Sequence, residues 1–117
     1  MRELVWIGSS QADVRSFPDA IRRTIGYALY VAQFGGKHPS AKPLKGFTGA
    51  GTLEIADDHD GDTYRAVYTL TLPGVVYVLH AFQKKSRRGI ATPQGEMELI
   101  RRRLQWAREI HDANKRS

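Results

Sequence analysis

The chain has 117 residues, 41% of them hydrophobic and 26% charged, with a net charge of +6. That suffices for one domain with its own core, and no apolar run approaches the roughly 18 residues of a membrane span. Cysteine is absent, which excludes disulfide frameworks, thiol nucleophiles and cysteine–zinc sites.

Glu3–Ile7 reads as a first strand. Its apolar residues do not alternate cleanly, as expected of a strand buried on both faces. The acidic Glu3 and the short apolar stretch do not fit a secretory leader. Ser10-Gln11-Ala12-Asp13 has capping-box spacing and predicts a short helix. A longer helix follows, with Ser16 placed to cap it and Pro18 in its first turn. Ile21, Ile25, Ala28, Leu29 and Ala32 recur at helical spacing until Gly35-Gly36.

Residues 35–51 are rich in Gly, Pro and Lys and read as a loop. Three strand-like runs follow: Thr52–Ala56, Thr63–Leu72 and Val75–Phe82, with turns at Asp60-Gly61 and Pro73-Gly74. The last run is apolar on both sides, as a central strand would be. Lys84–Ala91 reads as a basic loop. Thr92 and Pro93 then open a final helix whose inner face carries Met97, Ile100, Leu104, Ala107 and His111. The predicted order is β-α-α-β-β-β-α. One domain is expected over residues 1–114, with 115–117 as a disordered tail.

The charge is unevenly placed. Residues 1–83 hold eight basic and eight acidic residues, whereas residues 84–117 hold ten against four. A basic segment of this kind attracts phosphate backbones or acidic protein surfaces, or merely keeps one face solvated. The acidic run Asp57–Asp62 lacks the glycine and glutamate positions of a calcium loop and reads as a hairpin turn. Gly46–Gly51 is not followed by Lys-Ser/Thr and is no phosphate loop. The four histidines lack metal-ligand spacing, so no metal is expected.

Two features could carry chemistry. Arg65 is a cation inside an apolar strand, which calls for an open sheet face or a partner such as Glu54 on the neighbouring strand. The run His80-Ala81-Phe82-Gln83-Lys84-Lys85 takes a central strand straight into a lysine pair. It reads equally as an anion site or as a solvated basic loop.

In that order, Thr63-Tyr64-Arg65-Ala66-Val67-Tyr68, Tyr77–Ser86 and Thr92-Pro93 resemble the RelE/ParE toxin superfamily. The resemblance is to its HigB-like, phage-related branch, where the position of Glu54 is usually acidic. It covers roughly residues 2–108. It implies an α+β fold: a small, mainly antiparallel sheet with helices on one face and an open concave face. It further implies the toxin half of a type II toxin–antitoxin system. Such a toxin would be a cytoplasmic, ribosome-dependent messenger-RNA endonuclease that uses the RNA 2′-hydroxyl as nucleophile, with no metal and no cofactor. The implied partners are the ribosome, messenger RNA and a small helix-turn-helix, HigA-like antitoxin covering the basic face, with no membrane. Arg65 and Lys84 match the family's phosphate-stabilising cations, and Lys85, the neighbour of Lys84, is a second candidate. The chain lacks the lysines of the RelE branch near residues 53–56 and has no tyrosine after Tyr77, so Glu54 and His80 are the candidate bases. Arg65 is expected to point outward, close enough to the lysines to share one phosphate. Arg87, Arg88, Arg101, Arg102 and Arg103 would dock ribosomal RNA. The alternatives within this topology are a ParE-like gyrase poison and an inactive nucleic-acid- or protein-binding module.

Overall fold

The computed structural model describes residues 1–47, 49, 51–84 and 92–116. The elements, in chain order, are β1 (Glu3–Trp6), α1 (Ser10–Arg15), α2 (Asp19–Gln33), β2 (Ala41–Pro43), β3 (Thr52–His59), β4 (Asp62–Thr69), β5 (Val75–Lys84) and α3 (Gln94–Arg116). The strands form one sheet in the order β1-β5-β4-β3-β2. β1 runs parallel to β5, and the other neighbours are antiparallel. Asp60 (φ 51°) and Gly61 (φ 86°) close the β3–β4 hairpin. Both central residues are left-handed, as a two-residue turn that matches strand twist requires.

The α+β class and the mainly antiparallel sheet stand. Two details differ from expectation. The stretch read wholly as a loop contains β2, which pairs with β3 at Ala41–Ile55, Lys42–Glu54 and Pro43–Leu53. And the helices do not share one face. α1, α2 and the link between them place Val14, Phe17, Ile21, Ile25 and Leu29 against Ile55, Tyr64, Ala66, Tyr68, Val76 and Val78. α3 packs Met97, Ile100, Leu104 and Ala107 on the opposite face, over Val67, Tyr77 and Leu79. The reason lies in β5, whose apolar residues alternate onto both sides of the sheet. Leaving either face open would expose large apolar side chains.

The caps also shift. Ser9, not Ser10, precedes α1, and its hydroxyl donates to Asp13 (2.8 Å). Ser10 is buried and donates instead to the Val78 carbonyl on β5 (3.1 Å). Ser16 donates to the Asp13 carbonyl, closing α1 rather than capping α2, which follows Pro18. α3 continues to Arg116. No helix among the described residues is long and apolar enough to cross a membrane.

Candidate functional site

Strand register brings the site together. On β4, Arg65 and Val67 point to the α3 side, while Tyr64, Ala66 and Tyr68 point to α2. Arg65 lies opposite Ala56 on β3 and Phe82 on β5, two pairs along from Glu54–Val67 and so on the same face. Its Nη1 donates to Glu54 Oε2 at 3.0 Å. The guanidinium is not turned out to solvent as expected: Arg65 is only 7% exposed. Its charge is met by the one neighbour that the sequence offered, Glu54. Its Nε is buried with no hydrogen-bond partner.

Arg65 nonetheless lines a cleft of about 710 Å³. The cleft runs between β2, β3, β4 and the start of α3. Lys42, Lys45 and Glu54 line it, together with Pro43, Leu44, Thr92 and Met97. Glu54 is its one described carboxylate and is held by Arg65. Lys42 and Lys45 are exposed and have no ion-pair partner among the described residues. The cleft thus carries two unanswered ammonium groups beside a buried guanidinium, over a wall of apolar side chains. That is the composition of an anion site with room for a flat apolar group.

A bulge sets the neighbouring cluster. Val67 pairs with His80 but Tyr68 with Val78, so Leu79 is the extra residue on β5. The extra residue turns His80 to the α3 side of the sheet. There its Nε2 lies 2.8 Å from Glu96 Oε1, and its Nδ1 lies 3.2 Å from Arg103 Nη1. A guanidinium only donates, so Nδ1 accepts and the Nε2 hydrogen goes to Glu96. Arg103 also donates to the Leu79 carbonyl (3.1 Å) and to Ser9 Oγ (3.2 Å). Burial lowers the Arg103 pKa from its ordinary value, partly offset by the charge of Asp13.

The expected residues therefore separate into groups. Glu54 and Arg65 meet at the cleft. Lys84 pairs with Thr63, two residues along from the Arg65–Phe82 pair, and so shares their sheet face. His80 and Arg103 form the adjoining cluster with Glu96. Arg101 lies over the Phe47 ring (5.6 Å), and Arg102 is exposed on α3. Lys85, Arg87 and Arg88 lie outside the described residues. Lys42 and Lys45 were missed because β2 was read as loop. Their signal was a pair of lysines around Pro43-Leu44, with Ala41 and Leu44 spaced to anchor the segment. Among the described residues, no group of three or more His, Asp and Glu is placed to hold a metal ion.

This sheet, with its helices on both faces, is the RelE-like toxin fold. The isolated RelE toxin of E. coli superposes with a TM-score of 0.56 at 18% identity, over 87% of this chain and 98% of that one. The chain belongs to the family described as phage-derived protein Gp49-like, whose family model matches residues 12–105. The RelE/ParE superfamily expected from the strand motifs is thereby shown. A chain of the toxin–antitoxin complex RelBE2 from Mycobacterium tuberculosis is similar over 73% of this chain and 93% of its own, at 18% identity and a TM-score of 0.44. No curated protein matches the sequence significantly.

Proposed function

We propose that the protein is the toxin of a type II toxin–antitoxin pair and cuts messenger RNA on the ribosome. The supporting observation is the cleft: one carboxylate, fixed by a buried arginine, beside two unmatched lysines. Cleavage by the RNA's own 2′-hydroxyl needs a base, stabilisation of charge on the phosphorane and a proton for the 5′-oxygen. Glu54 takes the 2′-hydroxyl proton. Arg65 turns its unpartnered Nε and its second Nη to the phosphoryl oxygens. Lys42 or Lys45 of the cleft, or Lys84 on the same sheet face, protonates the leaving 5′-oxygen, and a 2′,3′-cyclic phosphate results. Lys85 adds to the phosphate clamp. His80, bonded at both ring nitrogens, positions α3 rather than acting as the base. Arg87, Arg88, Arg101 and Arg102 contact ribosomal RNA, and the inward bonds of Arg103 leave it a structural part. A small helix-turn-helix antitoxin of the HigA type would cover the cleft, and the site of action would be cytoplasmic.

The test is induction of the protein without an antitoxin, with transcriptome-wide mapping of RNA ends. Cuts confined to translated regions are expected. Arg65→Ala should lower cutting about a hundredfold, the cost of losing a main oxyanion donor. DNA breaks with intact messages would make it a gyrase poison. Intact RNA and intact DNA would make it a binding module.

A further inference from the structure

α2 has two apolar stripes, and the core uses one. Ile21, Ile25, Ala28, Leu29 and Ala32 face the sheet and are buried. On the other side Tyr27, Tyr30 and Phe34, at its C-terminal cap, are 60%, 54% and 60% exposed. Arg23, Tyr27, Tyr30 and Phe34 are spaced four, three and four residues apart. That spacing makes one continuous seam on a helix, the pattern that receives a second helix in a coiled-coil-like crossing. Three large aromatics in one exposed row are more than scattered surface residues.

The surroundings specify the occupant. Arg23 sits within the seam, and Arg15 and Lys37 are exposed nearby. None of the three has a carboxylate partner among the described residues. Arg22 is held by Asp19. The rim is therefore cationic. A second copy of the chain would bring these cations against one another in either helix orientation. RNA bases would need flat ring faces presented for stacking. Here Tyr30 and Phe34 meet edge to face at 62°, and Tyr27 meets His38 at 83°. In each pair the edge of one ring meets the face of its neighbour instead.

We propose that the outer face of α2 docks an acidic amphipathic helix of a partner protein, its apolar residues between Tyr27, Tyr30 and Phe34 and its carboxylates on Arg23 and Lys37. α2 lies on the sheet face opposite the Arg65 cleft, so a partner seated here leaves that cleft open. The inference stands whatever the cleft does.

The test uses the full chain and two labelled helical peptides of about three heptads. One has leucines at four–three spacing flanked by glutamate; its twin has lysine in place of every glutamate. Fluorescence anisotropy should show the acidic peptide binding and the basic twin at least about tenfold weaker, the scale of one lost hot-spot contact. Tyr30→Ala should weaken the acidic peptide by a similar factor, and Arg23→Glu should reverse the preference between the peptides. Circular dichroism of each variant verifies the fold. The proposal is overturned if neither peptide binds or if Tyr30→Ala binds the acidic peptide unchanged. It is also overturned if sedimentation shows self-association that Tyr30→Glu abolishes, or if oligouridine RNA displaces the acidic peptide from the stripe.

Discussion

Arg65 and Tyr68 are three residues apart on one strand and point to opposite faces, and each buries a polar atom with no partner. Their consequences differ. The Arg65 Nε borders a cleft, where a ligand can supply the missing acceptor. The Tyr68 hydroxyl lies in the core between the sheet and α2, where none can arrive. Burial pushes its pKa up to about 12 from the ordinary 10.0. The sign follows from linkage. The unfolded chain ionises this tyrosine from pH 10, and the folded chain resists until about 12. The contribution is whole below pH 10 and is lost as pH rises through the folded value, by roughly 3 kcal/mol. Tyr68→Phe removes both the orphan hydroxyl and the ionisation. It should raise stability at neutral pH by about 1 kcal/mol or more. In urea titrations from pH 9 to 12 it should lose less stability than the parent. Equal alkaline losses in the two proteins would refute this assignment.

The next scale is the seating of α3, which depends on a turn between β1 and α1. Gly8 has φ 57°, and a Cβ there would meet the Arg103 guanidinium at 2.9 Å. Gly8→Ala should therefore cost the left-handed backbone penalty, about 1–2 kcal/mol. It should also dislodge Arg103 from Leu79 and His80. Gly35→Ala is the control, since Gly35 has φ 88° and open space around its Cα. A double-mutant cycle with Arg103→Ala, read by urea unfolding, should show Gly8 and Arg103 coupled by at least about 0.5 kcal/mol and Gly35 uncoupled. The inward turn of Arg103 was legible in the sequence. Residues 96, 100, 103 and 107 fall on one helical stripe, but three adjacent arginines point to RNA docking. The side taken by His80 was not legible, because it depends on a bulge and not on alternation. β2 was hidden by its brevity and by Pro43, which only an edge strand tolerates. The core strands and α2 were legible because their apolar periodicities are long and unbroken.

At the scale of the whole molecule, sequence position misled about charge. The entire net charge of +6 lies in residues 84–117, which pointed to the C-terminal helix as the nucleic-acid surface. Folding redistributes it. Arg103 turns to β5, Arg101 packs over Phe47, and the balanced half of the chain contributes Lys42 and Lys45 to the cleft. Phosphate contacts release counterions, so each cation that touches the backbone steepens the salt dependence of binding. For single-stranded RNA the slope of log K against log salt changes by about 0.7 per contact. If the cleft holds the strand, replacing Lys42 and Lys45 together by glutamine should flatten that slope by about 1.4. Arg102→Gln, on the exposed face of α3, should leave it unchanged for an isolated strand, because that face is assigned to ribosomal RNA. Anisotropy of a labelled single-stranded RNA between about 50 and 200 mM salt measures both variants. A slope that follows Arg102 and ignores the two lysines would move the RNA from the cleft to α3. Glu54 and Arg65 would then remain as a structural ion pair alone.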